Sequence, residues 1–361
     1  MSGTSMDGVD GVVADFSSGG IRVLQHAAAP FPEALRAELM ALNASGADEL
    51  HRAWLAGNAL MRVYAGVVAQ LLAAARLEPE AIDAIGAHGQ TVRHRPQQFD
   101  GTGYTIQLAQ PALLAELAGI RVVADFRSRD VAAGGQGAPL APFFHQALFA
   151  KDGETVGVLN IGGISNLTVL RADGSMQGFD CGPGNALMDA WCARHTGQPY
   201  DDGGRWAAGG RVLPDLLAAL LAEPFLALPP PKSTGRDLFN PAWLAARLQP
   251  FSGAAPQDVQ ATLTELTARA CADDAGRHAG DMRRLIVCGG GALNAHLMAR
   301  LQALLPQAQV LSSAEAGLPP QQVEAAAFAW LARKCVRGEA LALQSTTGAR
   351  GARVLGGIYP A

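Results

Sequence analysis

Two turns of the chain combine glycine with hydroxyl side chains, residue types whose N–H and O–H groups can hold phosphate oxygens. The first is Gly3-Thr4-Ser5-Met6-Asp7-Gly8-Val9-Asp10, and the second is Gly162-Gly163-Ile164-Ser165. The carboxylate of Asp7, with Asp10 nearby, could orient Mg²⁺ or its waters. The P-loop pattern and the dinucleotide-binding glycine pattern are both missing from the sequence. From spacing alone, two ordinary β-hairpins are an equally good interpretation.

A third glycine-rich turn, Cys288-Gly289-Gly290-Gly291-Ala292-Leu293-Asn294, follows the predicted strand 285–288 and precedes the predicted helix 295–304. Three glycines at a helix N-terminus would let a flat ligand lie on bare backbone. Tight strand-to-helix turns use the same residues, so that alternative stays open.

Asp180 is the candidate general base. It lies in Gly178-Phe179-Asp180-Cys181-Gly182-Pro183-Gly184-Asn185, where we predict that Asp180 ends a strand and faces the start of a helix over 186–195. A carboxylate on a rigid element facing a ligand suits proton abstraction. The alternative is a helix N-cap, although Asn185 is better placed for capping.

A run of neutral donors and acceptors, His88-Gly89-Gln90-Thr91-Val92-Arg93-His94, has the composition of a sugar-binding segment. Its two histidines have no third ligand, which makes a metal site a poor interpretation. Glu324 begins a helix rich in small residues. It is equally consistent with a ligand contact or with a solvated helix start.

These residues need an α/β framework. Apolar and β-branched runs predict strands at 11–16, 21–24, 120–124, 156–161, 167–170 and 285–288. Helical spacing predicts helices at 48–75, 110–117 and 256–279. The glycine-serine turn and following strand occur in both halves, which suggests two similar domains across a cleft.

Composition excludes several classes of protein. Lys and Arg total 28 against 32 Asp and Glu, and the sequence has no cluster of basic residues of the kind that would indicate nucleic-acid binding. The longest apolar stretch, 212–228, is interrupted by proline and acidic residues, so we predict no membrane span. No signal peptide is visible, and five cysteines without C-x-x-C spacing favour free thiols in the cytoplasm. The 42 glycines indicate many turns or close backbone approaches.

Taken together, these motifs resemble the anhydro-N-acetylmuramic acid kinases, within the sugar kinase, actin and heat-shock chaperone ATPase superfamily. The resemblance covers nearly the whole chain. Its segments are GTSMDGVD (3–10), HGQTVRH (88–94), ADFRSRDVAAGGQGAPL (124–140), NIGGISNLT (160–168), FDCGPGNALMD (179–189), PPKSTGRDLFN (230–240), CGGGALN (288–294), EAAAFAWLA (324–332) and TGARGARVLGGIYP (347–360).

The resemblance implies a two-domain actin-like sugar-kinase fold with a duplicated core and ATP in a central interdomain cleft. We place the domains at 1–125 and 126–344, with 345–361 expected to complete the first. The implied reaction converts 1,6-anhydro-N-acetylmuramic acid to N-acetylmuramic acid 6-phosphate with ATP and Mg²⁺, in peptidoglycan recycling. A homodimer is also consistent with the resemblance, although no sequence feature supports it.

The resemblance also implies roles for individual residues. Gly3–Asp10 and Gly162–Ser165 would be the two phosphate loops, and Gly289–Gly291 the adenosine turn. Asp180 would be the catalytic base, and Asp7 a magnesium contact. His88, Gly89, Gln90, Thr91 and Glu324 would contact the sugar. Lys232 and Arg236 match the family pattern without a role that the sequence explains.

The start of this sequence departs from the family pattern. Family members carry apolar residues before the glycine-threonine-serine turn, whereas this chain begins Met1-Ser2. We therefore expect the first hairpin arm to be almost absent and the next strand to be under-paired. Two other functions remain alternatives: an ATPase-type binding protein of the same fold, and a glycosidase, which the phosphate-like turns disfavour.

Overall fold

Alternating strands and helices build a mixed α/β protein, as the sequence predicts. The computed structural model describes residues 1–3, 6–235 and 238–361. Thr4 and Ser5 of the predicted first phosphate loop, and Arg236, lie outside the described residues. The chain forms two compact units, one of Met1–Phe144 with Gln322–Ala361 and one of His145–Gln321. The division at 125 and 344, and the cleft, stay predictions.

The strands in chain order are β1 (Gly8–Asp15), β2 (Arg22–Pro30), β3 (Ile85–Gly86), β4 (Gln90–Pro96), β5 (Gly103–Leu108), β6 (Val122–Ala124), β7 (Val156–Ile161), β8 (Ile164–Leu170), β9 (Met176–Pro183), β10 (Arg284–Cys288), β11 (Gln309–Ser312) and β12 (Gly357–Tyr359).

The α-helices are α1 (Glu33–Ala41), α2 (Glu49–Ala75), α3 (Pro111–Ala118), α4 (Ser128–Ala132), α5 (Ala141–Phe149), α6 (Ala186–Thr196), α7 (Arg205–Ala208), α8 (Pro214–Leu221), α9 (Pro224–Ala227), α10 (Pro241–Leu248), α11 (Pro256–His278), α12 (Ala295–Leu304) and α13 (Val323–Val336).

The first unit contains the β1–β2 hairpin, the β4–β5 hairpin and a small sheet in the order β12-β6-β3. Helix α2 packs against β1 and β2. Close packing depends on Gly11, where a Cβ atom would lie 2.7 Å from Cγ1 of Val67. Helix α2 is also long and apolar enough to span a membrane. Core helices share that property, and the inner face of α2, including Leu60 and Met61, is buried.

Strand β1 pairs with β2 from Gly8 to Asp15. In addition, the amino group of Met1 donates to the carbonyl of Asp10 at 2.7 Å, and the Asp10 N–H donates to the Met1 carbonyl at 2.9 Å. The described backbone of Met1 therefore lies directly beside β1.

The second unit contains one sheet in the order β11-β10-β7-β8-β9. Strands β7 and β10 are parallel, while β7, β8 and β9 form an antiparallel meander. The largely buried helix α11 packs against β8 and β9. Because β7 and β10 run in the same direction, the turns that follow them lie at one edge of the sheet, where α/β proteins commonly bind ligands.

Candidate active site

The second predicted phosphate loop is the tight turn between β7 and β8. The Asn185 N–H donates to the Gly162 carbonyl at 2.7 Å, and the Gly184 N–H donates to the Gly163 carbonyl at 3.0 Å. A Cβ atom on Gly184 would lie 2.3 Å from the Gly162 oxygen, so this approach requires glycine. The turn is thus held against the start of α6. The Ser165 hydroxyl is buried and donates to the Gly182 carbonyl at 3.1 Å, which shapes this turn from inside.

The glycine turn after β10 packs on the end of β7. Gly289 has φ +76°, and a Cβ atom there would lie 2.5 Å from Oδ1 of Asn160. A Cβ atom on Gly291 would lie 2.4 Å from Cγ2 of Ile161. At Gly290 the nearest atom to such a Cβ would be 3.3 Å away. Gly289 and Gly291 are therefore required by packing, whereas a Cβ atom on Gly290 would press only on the end of the Asn185 side chain.

Asn185 connects the two turns of the second unit. Its backbone follows the phosphate-like turn, and its Nδ2 donates to the Ile161 carbonyl at 3.0 Å at the end of β7. The atom nearest to a Cβ placed on Gly290 is also Nδ2 of Asn185. The second predicted phosphate loop, the start of α6 and the glycine turn therefore form one cluster.

Asp180 lies within β9 and pairs with Asn166, so the prediction that it ends a strand is wrong: the pairing with β8 continues to Pro183. Oδ2 of Asp180 accepts hydrogen bonds from the Ser233 hydroxyl and from the Thr234 N–H, both at 2.9 Å. Burial raises the pKa of Asp180 above its usual value, and these two donors, with the charge of Lys232, partly oppose that rise.

The sequence did not predict that Lys232 and Asp274 lie close to Asp180. The Asp180 N–H donates to the Lys232 carbonyl at 3.1 Å. Nζ of Lys232 lies 2.9 Å from Oδ2 of Asp274, and both side chains are 1% exposed. The only sequence signal was the match of segment 230–240 to the family pattern. Nothing in the spacing connects this segment to β9 or α11.

His88, a predicted sugar contact in the first unit, is buried and already hydrogen-bonded. Its Nε2 accepts from the Arg127 guanidinium at 3.1 Å, and its Nδ1 lies 2.8 Å from the Gly89 carbonyl and 3.1 Å from the Ser2 carbonyl. Burial, with the charge of Arg127, holds the pKa of His88 well below its usual value. His88 is therefore a neutral imidazole that orients Arg127, which the sequence singled out only as part of the segment 124–140.

Glu324, on the first turn of α13, is solvent-accessible but closely surrounded by protein atoms. Desolvation raises its pKa, while the charges of Arg127 and of the Met1 amino group lower it. Burial in turn lowers the pKa of Arg127 to about 10, against the opposing effect of Glu324. Arg127 thus bonds one predicted sugar contact, His88, and acts on another, Glu324, through its charge.

The segment 88–91 is also tied to the first predicted phosphate loop. Nε2 of the buried Gln90 donates to the Gly3 carbonyl at 3.1 Å. Its Oε1 is buried, and no hydrogen-bond partner for it occurs among the described residues. Gly89 has φ +75°, and a Cβ atom there would lie 2.5 Å from the Leu108 oxygen. Thr91 accepts from Nε2 of Gln107 at 3.2 Å.

The described part of the first phosphate loop leads directly into β1. A Cβ atom on Gly8 would lie 2.4 Å from the Ala29 oxygen, and Val9 is buried in the core. Asp7 is exposed, and Oδ1 of the half-exposed Asp10 lies 3.2 Å from Nε2 of His26. Within the described residues no cluster of three or more His, Cys, Asp or Glu could hold a metal. One or two accessible carboxylates still fit Mg²⁺ that keeps waters and binds phosphate.

Comparison with known proteins identifies the family. A family model described as anhydro-N-acetylmuramic acid kinase matches residues 1–361. The chain belongs to the anhydro-N-acetylmuramic acid kinase family. The kinase predicted from the sequence is thereby confirmed, with ATP as a substrate, and nothing supports the alternative of a binding protein without kinase activity.

Two relatives illustrate the similarity. An anhydro-N-acetylmuramic acid kinase of Variovorax paradoxus is 67% identical over 366 residues, covering 100% of this chain and 98% of that protein. One from Bordetella pertussis is 60% identical over 364 residues, covering 100% and 95%. Among solved structures, a ROK family glucokinase from Streptomyces griseus has a TM-score of 0.40 and 14% identity, covering 91% of this chain and 99% of that one. A likeness at that level carries no argument about function.

Proposed function

We propose that this member of the anhydro-N-acetylmuramic acid kinase family opens the anhydro ring of 1,6-anhydro-N-acetylmuramic acid hydrolytically and phosphorylates O6, with Asp180 as the general base. The observation that carries the assignment of the base is that two hydrogen-bond donors hold the Asp180 carboxylate in place. Among the described residues its Oδ2 accepts from Ser233 and Thr234, and we assign the reacting proton to Oδ1.

A single base can serve both parts of this reaction. Water attacks the anomeric carbon C1 as the C1–O6 bond breaks, and Asp180 takes a proton from that water. The electron pair of the broken bond remains on O6, which attacks the γ-phosphorus of ATP and releases ADP. A base of raised pKa is better matched to accepting a proton near neutral pH than an ordinary aspartate is.

We assign the remaining residues by what they can offer. Backbone N–H groups of Gly3–Asp10 and Gly162–Ser165 would contact the phosphates of ATP, and Gly289–Gly291 would lie against the adenosine. Mg²⁺ supplied with ATP would reduce the charge on the phosphates, with Asp7 as its contact. The segment His88–Thr91 and Glu324 would bind the sugar. Arg127, which bonds His88, would supply a positive charge to this sugar site.

Exchanging the glycines of the adenosine turn separates packing from binding. Gly290→Ala should fold and raise KM for ATP about tenfold, because the methyl group would lie on the turn assigned to the adenosine and would press only on Nδ2 of Asn185, the end of a side chain that can shift. Gly289→Ala should lower the free energy of unfolding by about 1–3 kcal/mol, because it combines a positive φ with close contacts. Urea unfolding and ATP titrations would measure both. An unchanged KM in folded Gly290→Ala would contradict the assignment of this turn.

One assay tests the proposed reaction. The protein is incubated with ATP, Mg²⁺ and 1,6-anhydro-N-acetylmuramic acid, and both ADP and the sugar product are measured. Sugar-dependent formation of ADP and a sugar 6-phosphate in equal amounts is the expected result. ADP formation that ignores the sugar would indicate an ATPase-type binding protein, and ring opening without ATP would indicate a glycosidase.

We also infer an enzyme of the cytoplasm, where ATP is available, acting on small molecules without nucleic acid or membrane partners. The homodimer remains a prediction, which sedimentation equilibrium at several concentrations would test. A monomer at every concentration would contradict it.

A further inference from the structure

The segment 229–235 supplies the two donors to Asp180 without belonging to a helix or strand. Its backbone runs beside β9, because the Asp180 N–H donates to the Lys232 carbonyl at 3.1 Å. Ser233 and Thr234 then turn toward Oδ2 of Asp180. An irregular segment holds two donors in place only if something anchors it.

The side chain of Lys232 is a candidate anchor. It enters the interior beside α11, where its Nζ lies 2.9 Å from Oδ2 of Asp274. The ammonium group also lies 3.5 Å from the Leu226 carbonyl and 5.1 Å from the centroid of the Phe225 ring. At the other oxygen of Asp274, Arg277 approaches Oδ1 at 3.4 Å.

A buried ion pair adds little to the free energy of unfolding. Removing two charges from water costs several kcal/mol per ion, and well-packed apolar residues of similar volume often stabilise a protein as much or more. The 1% exposure of both side chains makes the cost of desolvation high here. A role in fixing one arrangement of the segment next to Asp180 explains the pair better than a contribution to stability does.

We propose that Lys232 and Asp274 form a positioning pair. Their contact fixes Ser233 and Thr234 against the Asp180 carboxylate, and it keeps the positive charge of Lys232 near that carboxylate. The pair touches neither substrate nor nucleotide in this proposal. It rests on the proposed role of Asp180 as the base, and assigns a function to the lysine of the KSTGRD segment.

The proposal has a consequence for pH dependence. Burial raises the pKa of Asp180, while Thr234, Ser233 and Lys232 lower it. Within the described part of the chain, the other titratable and charged groups near this site are Cys181 on β9 and Cys271, Asp274, Arg277 and His278 on α11. Without Lys232 and with the segment loosened, the pKa of Asp180 rises further. Because the base must be ionised, the acid limb of kcat/KM then moves to higher pH.

The test replaces the charged pair by an apolar pair, Lys232→Met with Asp274→Leu in one variant. The acid limb of kcat/KM should move up by about 1 pH unit, and kcat at neutral pH should fall about tenfold, while KM for ATP stays within twofold. The control is Lys151→Met, an exposed lysine of the same unit paired with Glu154, which should behave as wild type. A folded double variant with the wild-type pH profile would overturn the proposal.

A second variant covers the case in which the apolar pair does not fold. Ser233→Ala removes one donor from an exposed side chain, and the same upward movement of the acid limb is expected. An unchanged profile would overturn the proposal. Asp180→Asn distinguishes failure of the proposed base from failure of the positioning pair. If that variant stays active, the role of Asp180 as the base is wrong. If it is inactive while the other variants match wild type, only the positioning pair fails.

Discussion

Asp180→Asn should fold like the wild-type protein and lose at least about a hundredfold in kcat, since general-base assistance is worth typically 10²- to 10⁴-fold. The asparagine side chain keeps an oxygen that can accept from Ser233 and Thr234, so the local structure should survive. What it loses is the ability to accept a proton from water. Steady-state kinetics with calorimetric titration of ATP would separate this loss of turnover from a loss of binding.

A matched control is Asp173→Asn, which alters an exposed carboxylate in the turn between β8 and β9. Oδ1 of Asp173 accepts only locally in the described structure, from the Ser175 N–H at 2.8 Å. This variant should retain wild-type kcat. Near-normal turnover in Asp180→Asn, or an equal loss in both variants, would refute the assignment of Asp180 as the base.

Of the substitutions proposed for this protein, Asp130→Ala should lower the free energy of unfolding the most. Asp130 is fully buried; its Oδ2 accepts from the Gly137 N–H and its Oδ1 from the Thr347 hydroxyl, both at 2.6 Å. Hydrogen bonds to a charged group contribute about 1.5–3 kcal/mol each, and the Thr347 hydroxyl would keep the Leu343 carbonyl at 3.2 Å as an acceptor, so the free energy of unfolding should fall by roughly 2–5 kcal/mol. Urea unfolding followed by circular dichroism would measure it.

The same substitution should weaken sugar binding. The Gly137 carbonyl accepts from Nη1 of Arg127 at 2.8 Å, and Arg127 in turn bonds His88. Loosening the loop that Asp130 holds would shift Arg127, and KM for the sugar should rise about tenfold or more.

Glu116→Ala, which removes an exposed carboxylate from α3 in the same unit, is the control for Asp130→Ala. It should change stability by less than about 0.5 kcal/mol. A loss no greater than this in Asp130→Ala would show that the buried carboxylate does not hold the loop.

Elements with strong local patterns could be predicted from the sequence. The predicted strand 156–161 and helix 295–304 coincide with β7 and α12, because an unbroken apolar run and a capped helical repeat each specify one structure. The helix begins where Oδ1 of Asn294 accepts from the Leu297 N–H at 2.9 Å. The hairpin of β4 and β5 was not predicted, because its strands are rich in polar side chains.

The candidate site was predictable where a short segment carries its own signal. The turns at Gly162 and Gly289 combine glycine with a strand on at least one side, which the sequence displays. The environment of Asp180 was not predictable, because Lys232 and Asp274 are 42 residues apart and meet only through tertiary packing. The contact between Arg127 and His88 was not predictable for the same reason, because it joins residues 39 positions apart.

In the proposed reaction, water attacks C1 while O6 of the same sugar receives the phosphoryl group. The most direct measurement is mass spectrometry of the early products formed in H₂¹⁸O from ATP and 1,6-anhydro-N-acetylmuramic acid. The expected product carries one ¹⁸O atom on C1 of the sugar 6-phosphate and none in its phosphate group. A label in the phosphate, or a 6-phosphate product without ¹⁸O on C1, would contradict the proposed reaction.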